Sequence, residues 1–246
     1  MPLSIRDLTT LPSPDRLRPL CEALAVLDLI LFPEDWDDRR YSFDAAWGRG
    51  AMFQMRDGSG DHMNVLFPKE GGAAIRGFAH ESAMSPWHSS RKNEGKPAPF
   101  PGLFEGLPDA LSEICTEASF GEDEITFCAW WAPKEGWRAG NIAFRAGADP
   151  DGSRALLACL VGTPKTIARE VSEYVEEDIP PIAVKKLLAR EPLTNALVRA
   201  INPEATLDDI REEALALGWK LSPPTPKKTA TKKTATKTKK VALLTL

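Results

Sequence analysis

The stretch "AMFQMRDGSGDHMNVLFPKEGGAAIRGFAH", residues 51–80, decides the fold. It contains three runs, AMFQMR (51–56), HMNVLF (62–67) and AAIRGFAH (73–80), separated by DGSGD and PKEGG. Both separators have the Gly/Asp/Pro composition of tight turns between strands. Two hairpins then set Arg56 opposite His62 and Val65 opposite Ile75. In that register Phe53, Met55, Met63, Val65, Phe67 and Ile75 share one face. Gln54, Arg56, His62, Asn64, Arg76, Phe78 and His80 share the other. A period of two with this division predicts an antiparallel sheet with one buried face.

Working outward, a helix precedes the sheet. Ser13 stands at its cap, Pro14 at its first position and Asp15 at the positive end of its dipole. Leu17, Leu20, Cys21, Leu24 and Leu27 give it one apolar stripe, and Pro33 ends it. Residues 34–50 read as an irregular connection anchored by Trp36, Tyr41, Phe43 and Trp47. Beyond a Ser/Pro/Lys-rich loop at 81–101, a helix is expected over about 108–116. Strands are expected at 124–131, 140–145 and 154–161. Thr163-Pro164 then opens a helix, and helices follow near 182–190, 193–201 and 207–218, the last behind a Thr206 cap. The order predicts an α+β fold: an antiparallel sheet in two groups of about three strands, an N-terminal helix, a middle helix and a C-terminal helical segment.

The chain has 246 residues, 43% hydrophobic and 27% charged, the balance of an ordinary globular protein. Its first residues carry Arg and Asp without the apolar core of a signal peptide. The longest apolar run, LAVLDLILF (24–32), is interrupted by Asp28 and too short to span a bilayer. A cytoplasmic protein with no membrane contact is therefore expected. Cys21, Cys115, Cys128 and Cys159 lie far apart in apolar contexts, which suits buried reduced thiols. Residues 1–222 read as one α+β globular domain with a helical part from 163. Residues 223–246 read as a disordered tail with seven lysines and no acid. Setting those seven aside leaves 24 basic residues against 35 acids, so the domain stands near −11 and the tail near +7. Such a tail can make weak contact with nucleic acid through counterion release.

The register puts Gly60 opposite His80, so DGSGD and HESAMSPWHSS (80–90) emerge at one end of the sheet. Gly60, Asp61, His80, Glu81 and Trp87 are the candidate binding residues there, with Trp87 the recognition anchor. His62 and His80 fall on one face as diagonal neighbours, and Glu81 or His88 could complete a metal site with them. That set is the basis of an alternative reading as a metal-dependent enzyme. Against it, Asp61 has the opposite strand parity, and the spacing from His80 to His88 matches no known ligand pattern. Ser82, Ser85, Ser89 and Ser90 lie close to the histidines without a Gly-x-Ser-x-Gly elbow. No phosphate-binding or dinucleotide-binding glycine loop is present, and GADPDGS (147–153) lacks calcium-ligand spacing.

The pattern GSGDHMNVLF…GAAIRGFAHESAMSPW, with TFCAWW and DGS further on, resembles an uncharacterised bacterial protein family over most of residues 13–215. More distantly, Gly58, Gly60 and Asp61 at a turn with His80-Glu81 at a strand end are similar to the SUKH superfamily. That resemblance implies an α+β fold and an immunity protein that neutralises a toxin by binding it. The expectation is thus a non-enzymatic, cytoplasmic protein-binding factor of immunity or regulatory type. It needs no cofactor, and its acidic domain suits a basic, toxin-like partner.

Overall fold

The computed structural model describes residues 3–91, 97–112, 114, 117–121 and 123–223. Six strands form one antiparallel sheet in chain order: β1 (Tyr41–Asp44), β2 (Gly50–Arg56), β3 (His62–Pro68), β4 (Ala74–Phe78), β5 (Phe127–Ala132) and β6 (Gly136–Ala139). The two expected strand groups meet where β4 pairs with β5, Ile75 against Ala129. Among the described residues six α-helices accompany the sheet. These are α1 (Pro14–Leu31), α2 (Ser153–Leu157), α3 (Pro164–Val175), α4 (Pro181–Leu188), α5 (Asn195–Ile201) and α6 (Arg211–Ala216).

The hairpin register is as read from the turns: Arg56 faces His62 and Val65 faces Ile75. Phe53, Met55, Met63, Val65, Phe67 and Ile75 are all buried against Leu17, Leu24, Leu27 and Ile30 of α1. Burial of each such side chain contributes about 1.5–3 kcal/mol. The other face differs from expectation, because it too is covered. Leu66, Ala74, Cys128 and Trp130 pack there against Leu103, Leu111, Ile114, Phe120 and Ile125. Two polar members of that face, Asn64 and Arg76, are absorbed into this second layer, whereas Arg56 stays exposed. Asn64 is buried, and Arg76 is buried with its guanidinium donating to the carbonyls of Ile114 (3.3 Å), Gly121 (2.9 Å) and Glu124 (2.8 Å). On the α1 face Gly77 is required by close packing, since a Cβ there would lie 2.2 Å from the Phe127 ring.

Several elements depart from their expected places. Tyr41–Asp44 is an edge strand, not an irregular connection, with Tyr41 and Phe43 buried and Ser42 and Asp44 exposed. Trp47 stacks on Phe120 at 5.5 Å, whereas Trp36 is 62% exposed. The strand expected at 140–145 lies earlier, at Gly136–Ala139, because Glu135 and Gly136 make the turn. The run 154–161 is helical: α2 continues into a 3-10 turn at Ala158–Val161, burying Leu156, Leu157 and Leu160. A short apolar run suits either a strand or a helix, and here the helix packs Leu156, Leu157 and Leu160 into the α1 core. The segment 108–116 opens with a 3-10 turn at Asp109–Leu111, and residues 113, 115 and 116 lie outside the described residues.

The helix signals are mostly local and hold. Pro14 opens α1, although Ser13 caps through its carbonyl, which accepts from Arg16 and Leu17, rather than through its hydroxyl. Thr163 caps α3 in a reciprocal box with Thr166. Thr206, by contrast, donates its N–H to Asp209 in a turn, and α6 starts later, at Arg211. Cys21, Cys128 and Cys159 are buried; Cys115 and residues 224–246 of the tail lie outside the described residues. Among the described residues no helix is long and apolar enough to cross a membrane.

Candidate functional site

The end of the sheet at the β2–β3 turn and the exit of β4 is built from short-range polar contacts. Asp57 folds the turn: its carboxylate accepts from the N–H of Ser59 (2.8 Å) and of Asp61 (3.0 Å). The Ser59 hydroxyl donates to its second oxygen at 2.6 Å. Gly60 has φ +112°, a conformation that disfavours any side chain. A Cβ there would also lie 3.3 Å from Nδ1 of His80. Glycine therefore lets the turn press directly on the imidazole.

Asp61 is held by this turn and grips His80 twice. Its Oδ1 accepts from the His80 backbone N–H at 2.8 Å and lies 2.7 Å from Nδ1 of the ring. The opposite ring nitrogen, Nε2, is 3.2 Å from the Glu81 carboxylate. Strand parity had assigned Asp61 to the other face. Alternation does not reach it, because β3 begins one residue later at His62 and the Gly60 turn sets its direction. The carboxylate that ties the end of β4 is consequently Asp61, while Glu81 is exposed.

These contacts decide the protonation of the two histidines. The hydrogen bond to Asp61 raises the His80 imidazole above its ordinary value, with the Asp61 and Glu81 charges adding to it. His62 moves the other way, because burial disfavours its charged form. Its ring packs on Phe78, the residue opposite it in the register, at 5.4 Å. His88 is turned to Ser90, with Nδ1 2.8 Å from the hydroxyl, and Arg145 donates to that same oxygen at 2.7 Å. The four residues of the metal alternative, His62, His80, Glu81 and His88, are thus directed to separate partners, apart from the His80–Glu81 pair. Among the described residues no group of three or more His, Cys, Asp or Glu could hold a metal ion.

After β4 the chain winds through successive turns that carry Trp87. Ser82, Ser85, His88 and Arg91 each donate a backbone N–H to the carbonyl three residues earlier. Met84 is pinned from below, its N–H donating to Pro150 and its carbonyl accepting from Arg91. The serines of this stretch are turn formers: Ser85 is fully buried, and its hydroxyl accepts from the Trp87 N–H. Trp87 itself is 58% exposed. It borders a shallow cleft with Phe78, His80, Glu81, His88, Ser89 and Glu124. Gly60, Asp61, His80, Glu81 and Trp87 are therefore gathered at one end, with the first two behind His80 and the last two on the surface.

Phe78 and Glu124 complete the cleft and were not among the candidates. Glu124 arrives there because β5 pairs with β4, a non-local pairing that no turn in the sequence announces. Chemically, the cleft offers an exposed indole and two carboxylates around an imidazole whose nitrogens are both engaged. Comparison with known proteins finds no matching family model, no matching curated protein and no matching solved structure.

Proposed function

We propose that this chain is a protein-binding factor, of the immunity or regulatory kind that a SUKH-like pattern implies. It works in the cytoplasm, without a cofactor, and takes a basic side chain of its partner at the end of the sheet. The observation that carries the reading is Trp87, an exposed indole beside the Glu81 and Glu124 carboxylates. An aromatic face flanked by acids suits an arginine or lysine, which gains both cation–π and ionic attraction. His80 serves as a cross-link that keeps Glu81 at the rim rather than as a base, since both ring nitrogens meet carboxylates. The net charge near −11 over residues 1–222 favours rapid encounter with a cationic partner.

The test replaces Trp87 by a photo-crosslinking phenylalanine derivative in the full chain and irradiates the source cells. A single basic polypeptide in the adducts is expected. That polypeptide, purified, should bind Trp87→Ala and Glu81→Ala at least tenfold more weakly than the parent chain, a loss of about 1.4 kcal/mol. The reading fails if no adduct forms, or if the captured polypeptide binds both variants as tightly as the parent.

A further inference from the structure

A second concave surface lies at the β1 edge of the sheet, independent of the Trp87 cleft. It is a groove of about 500 Å³ bordered by Ala25 and Leu29 of α1, by β1, and by Ala216 and Leu217 at the end of α6. β1 is the terminal strand, so among the described residues this edge has no neighbouring strand. Tyr41 and Phe43 are buried in the α1 core, whereas Ser42 and Asp44 are exposed on the opposite face. Strand pairing sets Gln54 beside Ser42 and carries Arg56 to the same face two residues on. Ser42, Asp44 and Arg56 therefore line the groove from one side of the sheet.

The ladder tells which backbone groups look outward. Arg56 donates its N–H to the Arg40 carbonyl at 2.8 Å, which makes Arg40 and Arg56 a hydrogen-bonded pair. Pairs alternate along an antiparallel ladder, so the backbone groups of Ser42 and Asp44 turn toward β2 while those of Tyr41 and Phe43 turn away. The Tyr41 N–H is taken by Asp28 of α1 at 2.7 Å. The Tyr41 carbonyl and both backbone groups of Phe43 face the groove. An open edge of this kind accepts an added strand.

The charges around the edge tell which strand fits. Arg39 lines the groove too, but Glu213 is already paired with it, so this couple is internally neutral. Arg56 and Asp44 are the other charges of the lining, both exposed, and among the described residues neither is in an ion pair. They have opposite signs, share a face and stand at opposite ends of β1, Arg56 beside residue 40 and Asp44 at the last position. A two-fold axis at the middle of the strand exchanges its ends and sets each charge near its opposite. Self-complementarity of this sort is what an isologous contact between identical subunits requires.

We infer that a second copy of this chain docks at this edge, the two β1 strands pairing antiparallel about a two-fold axis at Ser42. The Phe43 N–H of each copy then donates to the Tyr41 carbonyl of the other, and the two Ser42 side chains face one another. The partner's Asp44 lies opposite residue 40, two strand spacings or about 10 Å from the backbone of Arg56, a gap that the long arginine side chain and the carboxylate close between them. Two symmetric ion pairs result. Trp36, 62% exposed and part of the same lining, is an aromatic of the kind that interfaces cover.

The test is sedimentation equilibrium on the full chain with charge reversals at the two exposed positions. A monomer–dimer equilibrium is expected for the parent. D44R brings cations together at each end and R56D brings acids together, so each alone should weaken dimerisation about tenfold or more. D44R/R56D exchanges the signs and should return to within about threefold of the parent, a recovery that misfolding cannot produce. In S42C the two thiols meet on the axis at cross-strand distance, and mild oxidation should link the copies in a reducible dimer. The parent and S89C, at the Trp87 cleft, are the controls and should not link. A monomeric parent, a dimer indifferent to both single reversals, or a double variant no tighter than the singles overturns the proposal. Oxidation of S42C that links no more than S89C also overturns it.

Discussion

Asp61 is the residue on which the candidate site turns, because one carboxylate oxygen meets both the backbone and the ring of His80. Its consequence is a measurable titration. His80 is raised above 6.5, chiefly by the Asp61 hydrogen bond, so the folded protein holds a proton that the unfolded chain releases near that value. The resulting stabilisation is fully present below about pH 6.5 and is lost as pH rises through the folded-state value. NMR titration of the imidazole is expected to show a raised value in the parent chain and a fall toward the ordinary one in Asp61→Asn. An unshifted His80 in the parent would refute the Asp61 link. The same residue shows where strand parity stops being informative. Alternation placed Phe53 through Ile75 correctly, but Asp61 lies in a turn whose direction is set by Gly60 at φ +112° and by hydrogen bonds to Asp57.

Asp28 couples two elements, helix α1 and edge strand β1. It interrupts the apolar run 24–32, yet it is buried, and its carboxylate accepts the Tyr41 N–H. Burial pushes it to about 7, while the backbone of Tyr41 and Arg40 pulls it partly back. Between about pH 4 and 7 the folded state therefore retains a proton that the unfolded state has lost, and stability falls as pH rises through that window. Denaturant titrations of Asp28→Asn should lack this decline, since the amide keeps an acceptor and has no proton to release. Asp28→Ala should lose roughly 1–3 kcal/mol near pH 4, from the orphaned Tyr41 N–H, and the difference should shrink as pH rises toward 7. Arg76 does for the second layer what Asp28 does for α1. Arg76→Met leaves the carbonyls of Ile114, Gly121 and Glu124 without their donor, and a loss of about 3 kcal/mol or more is expected in urea denaturation, with faster exchange at Gly121 and Glu124. Both residues mark what the sequence concealed. The central hairpins were legible because short turns fix their register, and α3 because Thr163-Pro164 is a local signal. β1 is only four residues long and charged around, and Arg76 looked like a solvent-facing residue because its covering loop comes from distant sequence. The run at 154–161 carries no period that separates strand from helix.

At the scale of the whole molecule, the centre of the sheet is buried on both faces by two hydrophobic clusters, and the concave surfaces lie at one end and at the β1 edge. Trp87 and Glu81 mark one end; Trp36 and the β1 groove mark the opposite edge. The charge is divided as sharply as the surface, near −11 over residues 1–222 against +7 beyond. Opposite charges on one chain attract with a range set by the Debye length, about 30 Å at 0.01 M salt and 3 Å at 1 M. The attraction between the tail lysines and the acidic domain is therefore expected to be strong at low salt and screened at high salt. Small-angle scattering of the full chain is expected to give a radius of gyration that grows from 0.01 to 1 M NaCl. A chain with all seven tail lysines changed to Gln should be larger at low salt and insensitive to the change. A parent chain whose radius does not respond to salt would show that the tail and the acidic surface ignore one another, and the lysines would then be free for an external anionic partner.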